Sequence, residues 1–179
     1  MNSIIKIGFT GTQSCGKSTL VKALAELPQF SDFHIATERS KYLSDLGIPL
    51  NQESTMYGQT LFLNERLGEL QYNNLLTDRT IIDVMAFTSL SPIINDFDKN
   101  RFEVFAAPFI KQYTHIFYIP PEIPLENNGV RDISLEFREA IDNKIKHYIE
   151  HYKFRIFNFH QISGTVEERI QQVLNIINF

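Results

Sequence analysis

Cysteine and tryptophan are almost missing from this chain of 179 residues, which has one cysteine, Cys15, and no tryptophan. A single cysteine excludes an internal disulfide and fits a reducing, intracellular compartment. No apolar run is long enough to span a membrane. The first apolar run is interrupted by Lys6, so we expect no targeting peptide. These absences together predict a soluble cytoplasmic protein.

An excess of basic residues is missing as well. The 17 Lys and Arg residues are outnumbered by 21 Asp and Glu residues, which gives a formal net charge of −4. Proteins that bind nucleic acid broadly are usually basic, so the composition disfavours that class. The length and the hydrophobic content suit one domain, over residues 1–179, with a substantial core.

The strongest pattern in the chain is Gly11-x-x-x-x-Gly16-Lys17-Ser18. An apolar run precedes it and a helical pattern to Leu27 follows, which is the context of a phosphate-binding loop. Glycines let the backbone approach a polyphosphate, and the helix N-terminus adds unpaired N–H groups. We expect Lys17 to contact the β- and γ-phosphates and Ser18 to bind Mg²⁺. The predicted contacts to ATP are Gly11, Thr12, Gln13, Ser14, Cys15, Gly16, Lys17, Ser18 and Thr19.

Short apolar runs alternate with helical patterns along the rest of the chain. After the first run, strands are predicted at 33–37, 75–77, 114–119 and 154–159. Helices are predicted at 18–27, 39–46, 51–74, 81–89, 102–113, 134–152 and 166–177, and residues 96–100 read as a polar connection. Residues 121–133 have no periodicity and are predicted to form a flap. The alternation predicts an α/β sandwich with a five-stranded parallel sheet.

Ligands in such folds bind at the carboxyl ends of the strands, so the residues there are candidate site residues. Glu38 follows the second strand and is a candidate to accept the proton of an acceptor hydroxyl or to bind sugar hydroxyls. Asp78 follows the third strand and is a candidate to hold Mg²⁺ through water. The alternatives are an ion pair of Glu38 with an arginine, and an Asp78 carboxylate that only favours the next helix N-terminus.

Three arginines are candidate phosphate ligands. Arg79 could form two hydrogen bonds to a phosphate, or else a salt bridge to Glu38 or Asp83. Arg131 lies in the predicted flap, where a cation could close over the transferring phosphoryl group. Arg138 lies two helical turns further on and could point the same way, or could be structural.

Four segments together resemble the AAA-type P-loop kinase group, which includes the ribosylnicotinamide kinase domain of NadR and related nucleoside or nucleotide kinases. They are GTQSCGKST, TERS, TDRTIID and ENNGVRD with EFREAID. The resemblance implies a three-layer P-loop NTPase sandwich. Asp78-Arg79 resembles the Asp-Arg pair of nucleoside monophosphate kinases, and Glu38 resembles the carboxylate of deoxynucleoside kinases. Those kinases carry Glu-Arg-Ser where this chain has Asp78-Arg79-Thr80, which leaves the acceptor open.

We therefore expect an ATP-dependent kinase that phosphorylates a nucleoside, a nucleotide or a related small acceptor. The resemblance implies that the turn at Gly164 contacts the adenine. The helix at 51–74 is expected to wall the acceptor pocket, with Gln59 as a candidate for base recognition. Two alternatives stay open: a kinase of a hydroxymethylated pyrimidine in DNA, and a non-catalytic nucleotide-gated binding module. The sequence leaves the choice of ATP or GTP and a monomer or dimer undecided.

Overall fold

A five-stranded sheet runs through the centre of the computed structural model, which describes residues 4–37, 40–124 and 134–179. All neighbouring strands are parallel, in the order β2-β3-β1-β4-β5. The strands are β1 Ile5–Thr10, β2 His34–Ala36, β3 Asn74–Thr77, β4 His115–Tyr118 and β5 Phe159–Gln161. The predicted fold class, a parallel α/β sandwich, is confirmed.

The sheet is buried on both faces, which explains why its inner strands are apolar without alternation. On β3, Leu75 packs into one hydrophobic cluster and Leu76 into the other. On β4, Ile116 packs into the first cluster and Phe117 into the second. Successive side chains of a strand point to opposite faces, so each face of the sheet has its own core.

Helices cover the two faces and give the three layers. In the ranges that the structure describes, α1 and α7 pack on one face and α3 to α6 on the other. The helices are α1 Lys17–Ala25, α2 Ser40–Asp45, α3 Met56–Glu69, α4 Ile81–Leu90, α5 Asp96–Ala106, α6 Leu135–His151 and α7 Val166–Ile177. No helix in these ranges is both long enough and apolar enough to cross a bilayer.

The predicted last strand, at 154–159, is wrong. Residues Lys153–Arg155 form a 3₁₀ helix and β5 begins only at Phe159. The apolar composition was misleading because Phe154 and Phe157 are exposed to solvent rather than buried in the sheet. Pairing with β4 sets the position of β5, and that partner cannot be identified from local composition.

Two helix predictions have wrong boundaries. The helix predicted at 102–113 begins earlier, at Asp96, because the Asn95 side chain accepts the Asp98 N–H and caps it. It ends at Ala106, and Ala107–Gln112 continues as a 3₁₀ helix that contains Pro108. The helix predicted at 51–74 consists of a 3₁₀ turn, Asn51–Glu53, and then α3. Asn74 belongs to β3 instead.

A buried polar cluster joins the end of α3 to the end of β3. The Glu69 carboxylate accepts a hydrogen bond from the Arg66 guanidinium at 2.5 Å and one from the Thr77 hydroxyl at 3.0 Å. Arg66 is almost completely buried. Burial raises the pKa of Glu69 from 4.5 to about 7, although Arg66 opposes the shift. Because Thr77 is the residue before Asp78, this cluster supports the strand end that carries a candidate site residue.

The raised pKa of Glu69 predicts a pH-dependent stability. The stability that this shift contributes is complete at pH values below 4.5, the ordinary pKa of the Glu69 carboxyl. It is lost as the pH rises through about 7, the pKa in the folded protein. The unfolded chain has fewer protons bound in this window, so the free energy of unfolding falls with pH. In Glu69→Gln we expect the difference in unfolding free energy between pH 5 and pH 8 to shrink by about 1–3 kcal/mol. Urea unfolding at both pH values measures it.

A matched control is Glu167→Gln, which removes one carboxylate from the first turn of α7. This variant should keep the wild-type difference between the two pH values. An unchanged difference in Glu69→Gln would contradict the assignment of the pH dependence to the cluster.

Candidate functional site

The loop between β1 and α1 has the backbone geometry that its glycines allow. Gly11 has φ +152° and Gly16 has φ +92°. A Cβ at Gly11 would lie 2.5 Å from the carbonyl oxygen of Ile119, and one at Gly16 would lie 2.9 Å from the Arg169 guanidinium. Both positions therefore require glycine, and the loop curls tightly at the carboxyl end of β1. This curl is the cradle that a polyphosphate would fill.

Lys17 lies over the loop itself. Its ammonium donates to the carbonyl oxygens of Gly11 at 2.6 Å and Thr12 at 2.8 Å, and lies 3.5 Å from the Cys15 sulfur. The side chain is largely buried. A phosphate oxygen that entered the loop would compete with these carbonyls for the same ammonium protons. Lys17 is thus already positioned at the centre of the predicted binding loop.

Asp83 fixes the start of the loop. Its Oδ1 accepts the Gly11 N–H at 3.2 Å, and its Oδ2 accepts the N–H and the hydroxyl of Thr80 at 2.8 and 2.9 Å. Thr80 in turn caps α4 by accepting the Ile82 N–H. The carboxylate is completely buried, so these hydrogen bonds replace its hydration. One side chain therefore joins the beginning of the loop to the N-terminus of α4.

Arg169 connects three segments around the outer side of the loop. From α7 its guanidinium donates to the Cys15 carbonyl oxygen at 2.7 Å and pairs with Glu122 at 2.9 Å. The same Glu122 oxygen accepts the Gly164 N–H at 3.1 Å. Arg169 is almost completely buried although it is charged. The predicted adenine-contacting turn at Gly164 thus lies beside the segment that follows β4.

Arg138 has a similar structural position. It donates to the Ile123 carbonyl oxygen at 2.7 Å and to the Ser14 carbonyl oxygen at 3.4 Å. Burial lowers its pKa from the ordinary arginine value. In this structure the guanidinium is therefore directed at the outer backbone of the loop, which corresponds to the structural alternative considered for it.

A polar cleft opens over the loop and continues into a second, more apolar pocket. The cleft is lined by the loop residues from Gln13 to Thr19 together with Ser40, Asn51 and Arg79. Those last three also line the second pocket, whose remaining walls are Leu50, Gln59, Phe62, Val84 and Phe87. The Arg79 guanidinium lies over the Phe87 ring, 5.0 Å from its centroid. Arg79 thus stands between the two spaces.

The structure brings together only part of the predicted site. Residues 13–19, Arg79 and Gln59 line the cleft or the second pocket, whereas Gly11 and Thr12 lie in the loop but line neither. Asp78 lies at the end of β3, where its N–H donates to Ala36, and it is completely buried. It does not line the cleft, and its predicted role at Mg²⁺ stays a prediction. Glu38 and Arg131 lie outside the described residues, as does most of the predicted flap.

The residues present fit a nucleotide with Mg²⁺ in the manner of a P-loop. No group of three metal-binding side chains occurs in the described ranges. A P-loop site needs none, because one hydroxyl, the phosphates and water supply the oxygen ligands. The Ser18 side chain lines the cleft and offers that hydroxyl. The glycine geometry at Gly11 and Gly16 lets the backbone between them approach the phosphates closely.

Sequence reasoning assigned no role in the site to two of these residues, Asp83 and Arg169. For Asp83 a signal exists, because Thr80-x-x-Asp83 before an apolar run is a capping-box pattern. The pattern does not show that Oδ1 of Asp83 accepts a hydrogen bond from Gly11, which is 72 residues away in the sequence. For Arg169 there is no local signal, since it is one charged residue of an amphipathic helix.

A parallel sheet with a glycine cradle between β1 and α1 defines a P-loop nucleotide-binding protein of the α/β class. The sequence matches an AAA domain family over residues 6–169, so the chain belongs to that family. A comparison with curated proteins finds no match.

Solved structures share the fold. Deoxyadenosine kinase from M. mycoides, in a structure with bound dCTP, has a TM-score of 0.69 and 16% identity, over 97% of this chain and 99% of that one. A second structure of that kinase, with dCMP and dCDP, has a TM-score of 0.68 at the same identity and coverage. YorR protein from Bacillus subtilis, in complex with phosphorylated GDP, has a TM-score of 0.58 and 15% identity, over 96% and 95%. The chain therefore has the fold of nucleoside kinases.

The role of Asp83 predicts a specific defect in Asp83→Asn. The amide can replace only one carboxylate oxygen, so its NH₂ would face a backbone N–H at Gly11 or Thr80. We expect a loss of about 1–3 kcal/mol in unfolding free energy and weaker nucleotide binding. Glu103→Gln is the control, because that half-buried carboxylate accepts from Tyr148 and Tyr152, at the C-terminal end of α6 rather than at the loop. Denaturant unfolding and titration with a fluorescent nucleotide distinguish them, and equal nucleotide affinity in both variants would contradict the anchoring role.

Proposed function

We propose that this protein is a kinase that transfers the γ-phosphoryl group of MgATP to a nucleoside, a nucleotide or a related small acceptor. In this proposal residues 1–179 form one kinase domain with a lid at about 121–133. The carrying observation is that the P-loop cleft and the second pocket share three lining residues, Ser40, Asn51 and Arg79. A donor phosphate in the cleft and an acceptor in the pocket would meet at this common wall.

The second pocket has the chemistry of a base-binding site. Phe62, Val84 and Phe87 supply apolar surface, and Gln59 supplies one amide with both a donor and an acceptor. A few polar groups in an otherwise apolar pocket give orientation and specificity to a small ligand. The Gln59 side chain is buried, so its amide is directed by the protein rather than by solvent. This arrangement suits a flat heterocycle whose polar edge forms hydrogen bonds with the Gln59 amide.

Acceptor binding requires the pocket to open. Its volume is about 20 Å³, room for about one water molecule. Sites for small molecules usually measure about 300–1,000 Å³. The wall at Leu50 and Asn51 is the part best suited to move, because Asn51 has φ +55° and begins a short 3₁₀ turn rather than a long element. We propose that the acceptor displaces this wall.

The transfer itself relies on positioning and charge rather than on covalent chemistry. Mg²⁺, when bound, neutralises charge on the phosphates, and Ser18 and, through water, Asp78 are the residues that would hold it. Lys17 leaves the loop carbonyls and places its charge on the donor phosphates. Arg79, at the common wall, contributes its charge on the acceptor side. In this proposal Glu38 accepts the proton of the acceptor hydroxyl or binds sugar hydroxyls, and Arg131 closes over the transferring phosphoryl group.

The test is release of ADP from MgATP over a panel of acceptors. The panel contains nucleosides, deoxynucleosides, their monophosphates, ribosylnicotinamide and DNA with hydroxymethyluracil. We expect turnover with one class of small acceptor, and a loss of roughly 100-fold or more in Lys17→Ala. Lys22→Ala is the matched control, because Lys22 is an exposed lysine of the same helix.

Each other result of the panel contradicts the proposal in a defined way. Turnover with DNA alone would indicate a kinase of a base within nucleic acid. Tight nucleotide binding without turnover on any acceptor would indicate a nucleotide-gated binding module. Full activity in Lys17→Ala would remove the P-loop mechanism.

A second prediction concerns Arg79. Arg79→Lys keeps the charge but loses the planar guanidinium that stacks on Phe87 and can form two hydrogen bonds to a phosphate or hydroxyl oxygen. We expect kcat/KM for the acceptor to fall about 10- to 100-fold, with little change in the KM for ATP. Arg101→Lys is the matched control, since Arg101 stacks on Phe97 at 5.4 Å on the exterior of α5. Equal acceptor kinetics in the two variants would contradict a role for Arg79 at the common wall.

A further inference from the structure

An apolar surface on the exterior of α5 has no role in the proposed reaction. We call it the α5 face and define it by Phe97, Arg101, Val104, Phe105, Pro108 and Phe109, which line an open groove of about 650 Å³. Phe97 is 68% exposed and Val104 is 75% exposed. The spacing of these residues is that of one helical stripe. Large side chains of this kind in solvent are a signal of an interaction surface.

The orientation of α5 leaves no other element of the described chain to cover this face. Phe102 and Ala106, on the inner side of the helix, pack in the core with α4. Glu103 faces α6, where it accepts hydrogen bonds from Tyr148 at 2.9 Å and Tyr152 at 2.6 Å. With two sides of α5 held in this way, the stripe at Phe97 to Pro108 is directed outwards.

A second group of exposed rings lies next to the segment that follows α5. The 3₁₀ helix Lys153–Arg155 packs against Ala107–Gln112, which follows α5 directly. Phe154 in that turn is 91% exposed, and Phe157 just after it is 74% exposed. Taking about 200 Å² for each phenylalanine, the exposed parts of Phe97, Phe105, Phe154 and Phe157 amount to roughly 600 Å². The two neighbouring groups of rings together therefore expose as much apolar area as the largest patch on a typical monomer, about 300–600 Å².

We propose that the α5 face is the interface of a homodimer of this chain. With Val104 and Pro108 added, the α5 face and the neighbouring Phe154 and Phe157 together approach the roughly 800 Å² per partner of a stable protein interface. A two-fold axis would place the stripe of one α5 on the stripe of the other, so the same apolar surface covers itself.

The charges around the face favour a protein partner over a polyanion. Besides Glu103, which is turned towards α6, helix α5 carries two acidic residues, Asp96 and Asp98, and two basic ones, Lys99 and Arg101. A surface for nucleic acid or an anionic membrane would be mainly basic. A surface with both signs at its rim can pair with a second copy of itself in register.

Sedimentation velocity of the full chain between about 1 and 100 µM tests the proposal. We expect a species of about twice 20.8 kDa. Val104→Lys should shift it to the monomer mass, and because lysine suits the last turn of α5 the helix itself is retained. Leu135→Glu is the matched control: Leu135 is a similarly exposed aliphatic residue, 69%, in the first turn of α6, where an acidic residue is favourable. This variant should stay dimeric.

A positive measurement complements the loss of mass. The natural cysteine, Cys15, is buried, so an added surface cysteine is the reactive one. Asn100→Cys, in the groove of the α5 face, should give a covalent dimer with a short bis-maleimide. Lys22→Cys, at an exposed position of α1, should not. A wild-type monomer over the whole range would overturn the proposal, and binding of that monomer to anionic vesicles or duplex DNA would assign the face to another partner. A dimer that survives Val104→Lys and is not linked through Asn100→Cys would place the interface elsewhere, which also overturns it.

Discussion

The hydrogen bonds of the Asp83 carboxylate are the constraint on which the site depends. A buried carboxylate must be hydrogen-bonded, and here its partners are the backbone of Gly11 and the cap of α4. Because α4 is buried from Ile81 to Thr88 and most of its side chains lie in the larger core, its position is determined by packing. Through its hydrogen bond to Gly11, Asp83 fixes the P-loop relative to α4. Its hydrogen bonds to Thr80 hold the preceding residues, Asp78 and Arg79, at the same edge of the sheet. The geometry of the loop is thus set by a helix far from it in sequence.

The fold was predictable because its signals are local and strong. The glycine pattern at Gly11 and Gly16, the apolar strand runs and the caps at Thr80 and Thr165 each indicate one structure. The errors occur where tertiary context decides. An apolar run from Phe154 looked like a strand, but its rings face solvent, and β5 lies where β4 offers its edge. Local composition does not show which aromatic rings will pack in the core and which will stay exposed to solvent.

The site was predictable only to the level of residue types at strand ends. Lys17, Ser18 and Arg79 were placed in one cleft because parallel strands end at a common edge. The functions of the arginines could not be separated in this way. Arg138 and Arg169 are as charged as Arg79, yet they donate to backbone carbonyls of Ser14 and Cys15. Whether a guanidinium meets a carbonyl or an open cleft depends on packing between helices that are distant in sequence.

These different uses of arginine have a consequence for how the site can work. The two buried guanidinium groups donate to the outer carbonyls of the P-loop and connect them to Glu122 and Ile123, at the start of the predicted lid. Carbonyls that accept these hydrogen bonds point outwards, which leaves the loop N–H groups to face the phosphates of the proposed nucleotide. The same contacts tie the loop to the root of the lid. A change in position of Glu122 when a nucleotide binds beside Gly164 would therefore reach the phosphate loop through one side chain, Arg169.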